Sequence, residues 1–144
     1  MKPYLLDVNL LIALAWPSHV HHHLAQKWFA KKRSAGFRTC PLTQIGFVRI
    51  SSNLKFTADA VSPHQALTLL ERITNLPEHK FWPADLALSD AISKLEPILG
   101  HRQVTDAYLL ALARARRGTL ATLDRGALTL AGAKEQGVEL LGDL

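Results

Sequence analysis

With 144 residues and a 48% hydrophobic composition, the chain has the length and apolar content of one globular domain spanning residues 1–144. It contains no run of about 18 apolar residues free of charge and no basic–apolar–small export pattern at its N-terminus, which argues against membrane-spanning and secreted classes and predicts a soluble, cytoplasmic protein. A formal charge of +5, with basic clusters at Lys31, Lys32, Arg33 and at Arg114, Arg116, Arg117, suits a polyanionic partner, although basic helix ends also arise as plainly solvated, dipole-favoured termini.

Residues 3–6 are an apolar run of strand length, and residues 8–15 read as a helix that ends before Pro17. Between them stands Asp7, a carboxylate in an otherwise apolar stretch. Ser18 is positioned to cap a second helix through Leu24, Ala25, Trp28 and Phe29 to the basic Lys31–Arg33 end. After Gly36 the segment FRTC reads as a brief strand, and its Cys40, having no second cysteine to pair with, reads as a buried thiol. Pro41 fits the first turn of a third helix with Ile45, Val48 and Ile50 facing inward. Pro63 opens a fourth, with Ala66, Leu69, Leu70, Ile73 and Leu76 at helical spacing, closed by Pro77.

Then come a short run, HKFWP, and a helical segment from about Ser89 to Leu95. The spacing predicts a long helix over 105–117 that stops before Gly118, followed by strands at TLATL and VELL. Such alternation predicts an α/β fold with a mainly parallel sheet and helices on both faces.

That topology gives the acids a meaning, because open α/β sheets place their sites beyond the carboxyl ends of the strands. Asp7 follows the first strand, Asp124 follows TLATL, and Asp106 stands in the first turn of VTDAYLLALARAR. Each also has an ordinary explanation. Asp7 suits a helix cap, Asp124 in LDRG suits a turn, and Asp106 suits a first-turn acid if Thr105 caps the helix and Val104 packs on Leu109. Taken together they point further. Carboxylates about 5 Å apart repel by roughly 3 kcal/mol per pair at an effective dielectric near 20, so a cluster calls for a cation or a raised pKa. Oxygen-rich ligation suits Mg²⁺ or Mn²⁺, which activate water and neutralise phosphodiester charge. On a basic protein this chemistry points to nucleic-acid hydrolysis.

Three blocks, LLDVNLLIAL, TCPLTQIGFVRI and RQVTDAYLLALARARRGTLATLDRG, resemble in order and spacing the PIN-domain ribonucleases, and within them the VapC toxins of toxin–antitoxin pairs. The resemblance covers nearly the whole chain. It implies a three-layer α/β/α sandwich and an endoribonuclease dependent on Mg²⁺, with Mn²⁺ as a substitute, in which Asp7, Asp106 and Asp124 are the catalytic and metal-binding acids. Asn9 and Thr105 match polar positions beside them. A cognate antitoxin and a homodimer are implied as well. Many members have a glutamate where this chain has Gln44, which carries no charge and leaves open whether one metal or two are held; Asp85 and Asp90 read as turn or helix-start residues rather than replacements. Arg125 and the basic helix ends are candidates for RNA phosphates.

The stretch HVHHH lacks the further ligands of a zinc site and reads as an exposed helix start, and Trp16, Trp28 and Trp82 read as core or core-edge residues. Two alternatives stay open. One is a catalytically weak PIN-like module that binds RNA or protein; the other is a receiver-like phosphoacceptor domain, which lacks its paired acid and late lysine here.

Overall fold

The computed structural model describes residues 1–132 and 136–142. Strands β1 (Tyr4–Leu6), β2 (Phe37–Thr39), β3 (His79–Phe81), β4 (Thr119–Thr122) and β5 (Val138–Leu140) form one five-stranded sheet. Every pairing is parallel, and the order is β3-β2-β1-β4-β5. Parallel neighbours require crossovers. These are supplied by helices α1 (Val8–Ala15), α2 (His22–Lys32), α3 (Pro41–Ser51), α4 (Pro63–Thr74), α5 (Leu88–Ile92), α6 (Val104–Ala115) and α7 (Gly126–Ala131).

Successive strand residues point to opposite faces, and the two cores follow from that. Leu5 and Leu120 pack on one face with Leu109, Leu112 and Leu130, drawn from α6 and α7. Their neighbours Leu6 and Ala121 pack on the other with Leu10, Phe29, Phe47 and Leu70, drawn from α1 to α4. The three-layer α/β/α arrangement expected from the alternation is therefore present. Each fully buried leucine contributes about 1.5–3 kcal/mol, so Leu6→Ala, which also opens a cavity, costs about 2–5 kcal/mol.

Several local readings hold for their stated reasons. Asp7 is the N-cap of α1. Ser62 and Gln65 form a capping box on α4, with Pro63 in its first turn. Cys40 is buried at the start of α3, and Trp82 lies in the core.

Others are corrected. Ser18 does not cap α2, which starts at His22 behind a His21 N-cap; the Ser18 hydroxyl donates instead to Asp59 Oδ2 at 2.9 Å. On α3 Val48 packs on the core as expected, but the fully buried stripe is Thr43, Phe47 and Ser51, at i, i+4, i+8, and Ile45 is 56% exposed. Thr105 does not cap α6: Gln103 holds the N-cap without a side-chain bond, and Val104 is exposed rather than stapled. Helix α7 is too short for its periodicity to be read from the sequence, and it follows Asp124 directly.

The strand order fixes where a site belongs. From the central β1 the chain builds outward through β2 and β3 on one side and through β4 and β5 on the other. The switch point, where crossovers diverge and leave a crevice, lies between β1 and β4 at their carboxyl ends.

Candidate active site

Asp7 follows β1 at that crevice, and its backbone N–H extends the β1–β4 ladder by donating to Ala121 O at 3.0 Å. Its carboxylate is fixed from two sides. Oδ1 accepts from the Val8 N–H at 2.7 Å, the capping bond of α1, and Oδ2 accepts from Thr122 Oγ1 at 2.6 Å. The same Thr122 oxygen accepts the Asp124 N–H at 3.0 Å. One buried hydroxyl at the end of β4 therefore ties two of the three acids together. Asp124 Oδ1 in turn accepts the Gly126 N–H at 2.9 Å, an Asx turn that opens α7.

Asp106 arrives from α6, whose first turn sits at the same edge. It is 8% exposed and hydrogen-bonds Asp124. Burial, then the charges of Asp7 and Asp124 and that hydrogen bond, push its pKa up to about 8. Burial also raises Asp7, with the bonds from Thr122 and Val8 pulling the other way and the charge of Asp124 adding to the rise. The ordinary roles of these acids and their clustering are thus both real. The helix N-termini at Asp7 and Asp106 offset part of the repulsion through their dipoles.

The three acids line a cavity of about 750 Å³ together with Asn9 and Thr105. Gln44 is elsewhere: its Nε2 donates to Thr39 Oγ1 at 3.0 Å, and Thr39 pairs with His79 Nε2 at 2.7 Å. Arg125 is exposed at the N-cap of α7, outside the cavity wall. In their place the cavity wall has Arg49 and Arg102, which sequence reasoning missed, as it missed Thr122. For Thr122 a signal existed, a polar residue at the end of an apolar strand two places before an acid. For the arginines there was none, since tertiary approach alone brings them here.

The donor set suits a hard divalent cation. Among the described residues no Lys or Arg forms an ion pair with any of the three acids, so no such side chain neutralises the charge that their helix N-termini and hydrogen-bond donors leave over. Among the described residues no group of three His, Cys, Asp or Glu is drawn together closely enough to hold a metal ion by itself. An open, carboxylate-lined site is what Mg²⁺ takes, because it keeps several waters. The histidines of HVHHH form no such group either; His22 Nδ1 is bonded to Ala13 O at 2.8 Å at the start of α2.

The PIN domain family model matches residues 4–133. Ribonuclease VapC38 of Mycobacterium tuberculosis is 46% identical over 127 residues, covering 88% of this chain and 89% of the relative. Ribonuclease VapC29 of the same organism is 43% identical over 128 residues, covering 89% and 90%. Among solved structures, VapBC2 from Rickettsia felis bound to a DNA fragment from their promoter aligns with a TM-score of 0.66 over 96% of this chain and 98% of that one; at 12% identity this is a likeness of fold.

Proposed function

The chain belongs to the PIN domain family, on its VapC ribonuclease branch, and from that premise we propose that it is the toxin of a toxin–antitoxin pair, a metal-dependent endoribonuclease whose catalytic carboxylates are Asp7, Asp106 and Asp124. The observation that supports the assignment of residues is the meeting of three acids, in no ion pair among the described residues, on one open cavity at the switch point of the sheet.

Asp7, Asp106 and Asp124 would hold Mg²⁺, with Mn²⁺ as a substitute. A bound divalent ion supplies water activation and charge neutralisation at the scissile phosphodiester. The chain does the rest. Thr122 and the Val8 N–H set the direction of the Asp7 oxygens, and the Gly126 N–H sets that of Asp124. The Asn9 amide and the Thr105 hydroxyl lie on the same wall, where they can orient a water or a phosphate oxygen. A cognate antitoxin that covers the acidic cavity, a homodimer of nuclease subunits and a cytoplasmic RNA substrate complete the proposal on the strength of the family. No helix among the described residues is long and apolar enough to cross a membrane.

The binding-module alternative drew on Gln44. That residue lies outside the cavity wall, so its lack of charge subtracts nothing from the acid cluster.

The test is RNA cleavage with Mg²⁺ or Mn²⁺, with EDTA, and with Asp7→Asn or Asp106→Asn. Cleavage is expected only with metal and with both acids intact. Cleavage that survives chelation and both substitutions overturns the mechanism, and salt-sensitive RNA binding without cleavage at any metal concentration returns the alternative.

A further inference from the structure

We propose that the non-acidic wall of the active-site cavity is a nucleotide subsite, in which the Phe56 ring stacks an unpaired base next to the scissile bond while Arg49 and Arg102 hold the flanking phosphates. This rests on the ribonuclease reading above and names what that site recognises.

The first observation is where apolar surface is left exposed. Leu42, Ile45, Leu54 and Phe56 are 37%, 56%, 75% and 69% exposed, and all four border the cavity that holds the acids. Isolated apolar residues on a surface need no explanation, but a group gathered on one concavity marks a binding surface.

The second observation is that Phe56 is held in place. It sits on a hydrogen-bonded turn in which its N–H donates to Asn53 O at 3.0 Å and the Lys55 N–H donates to Asn53 Oδ1 at 2.9 Å. The next turn is pinned by Ser18 on Asp59. Phe56 also borders a smaller cavity of about 190 Å³ together with Trp16, whose indole is fixed by donating to Ser51 Oγ at 3.0 Å. The hydrogen-bonded turn thus presents the ring at the edge of the cavity, where a base can stack on it.

The third observation is charge. Arg49 and Arg102 border the same cavity, and neither guanidinium has a hydrogen bond or ion pair among the described residues. Two unengaged guanidiniums beside three carboxylates make an arrangement that a metal-bridged phosphate chain would complete, since guanidinium favours phosphate oxygens. A cavity of about 750 Å³ is also of the size that encloses a small ligand. Bases within a duplex hide their faces against their neighbours, so the occupant of such a platform is unpaired. The acids, the arginines and the ring on one cavity suit a nucleotide, and an antitoxin segment laid over the same patch is the other outcome of the test.

The experiment uses the full chain and stem-loop oligoribonucleotides with randomised loops, from which a cleaved sequence is chosen. Binding is then measured in the cleavage-deficient Asp106→Asn background for that RNA and for the same RNA with an abasic nucleotide beside the cleaved bond. Phe56→Ala is expected to weaken binding of the intact RNA by about tenfold or more and Phe56→Trp to retain it. The abasic RNA should bind equally to proteins with and without Phe56. Arg49→Ala and Arg102→Ala should each lower the slope of log affinity against log salt by about 0.7.

Equal effects of the abasic substitution in both proteins, or unchanged salt slopes, overturn the subsite while leaving the ribonuclease intact. A Phe56→Ala protein that binds RNA normally but changes its sedimentation or its capture by antitoxin assigns the patch to protein contact instead. If the wild-type chain cuts no RNA with metal present, the ribonuclease reading fails and the subsite falls with it.

Discussion

Thr122 donates to Asp7 at 2.6 Å and, through the same oxygen, accepts the backbone N–H of Asp124. The hydroxyl thus fixes the spacing of two acids that arrive from different strands. Thr122→Val keeps the shape and removes both bonds, leaving a buried carboxylate oxygen short of a partner. We expect metal-dependent RNA cleavage to fall by about 10- to 100-fold, the range seen when groups that orient metal ligands are lost. Thr122→Ser should restore most of it. Cleavage kinetics at saturating metal check both variants, and equal activity in all three proteins would remove this role.

Asp106 gives the chain a pH dependence that runs opposite to that of a salt-bridged acid. Its folded-state pKa of about 8 lies above the ordinary 3.8, so at low pH the carboxyl is protonated in both states and its contribution is fully present. As pH rises from about 4 to about 8, the unfolded chain releases the proton while the folded chain retains it, and stability falls. In EDTA, calorimetry should show Tm decreasing across this window. Asp106→Asn should flatten the decrease and raise Tm near pH 8 by about 5 °C or more. A Tm that is level or rising between these limits in the unsubstituted protein contradicts the account.

Gly46 permits the close approach of α3 to α1. A Cβ built there would stand 2.6 Å from Val8 Cγ2, and valine, branched at Cβ, has little freedom to turn away. Gly46→Ala should therefore destabilise by about 1–3 kcal/mol, as overpacking does. The double variant Gly46→Ala with Val8→Ala should recover part of the loss. Urea unfolding of the two singles and the double measures the coupling, and strictly additive losses would count against the clash.

Gln44 separates position in a motif from position in space. Because its amide faces Thr39 and not the acids, Gln44→Ala should cost about 1 kcal/mol from the lost hydrogen bond and change cleavage by less than about threefold. A large kinetic loss at unchanged Tm would place the amide in the reaction after all.

What was legible in the sequence depended on local signals. The apolar run before Asp7, the strand before Asp124 and the helix start at Asp106 each carry their own periodicity, and strand alternation then placed all three at one edge of a parallel sheet. Where polarity misled, the reason is specific. On α3 the inward stripe contains Thr43 and Ser51, so a reading that sought apolar residues at helical spacing selected Ile45, which faces the cavity. Thr105 looked like a cap because Asp106 follows it, but the turn at His101–Gln103 leads into the helix two residues earlier. Arg49 on α3, Phe56 in the segment after it and Arg102 in the segment before α6 border one cavity only because these stretches converge, and no spacing along the chain records that.

The middle position of β1 also sets an order of loosening on warming. The Asp7 amide is bonded into the centre of the sheet, so it exchanges with solvent only when the whole molecule opens, whereas Phe56 depends on turns closed within a few residues. On warming, the turn that carries Phe56 is expected to open before the sheet edge that carries Asp7, so amide exchange at Phe56 should precede exchange at Asp7.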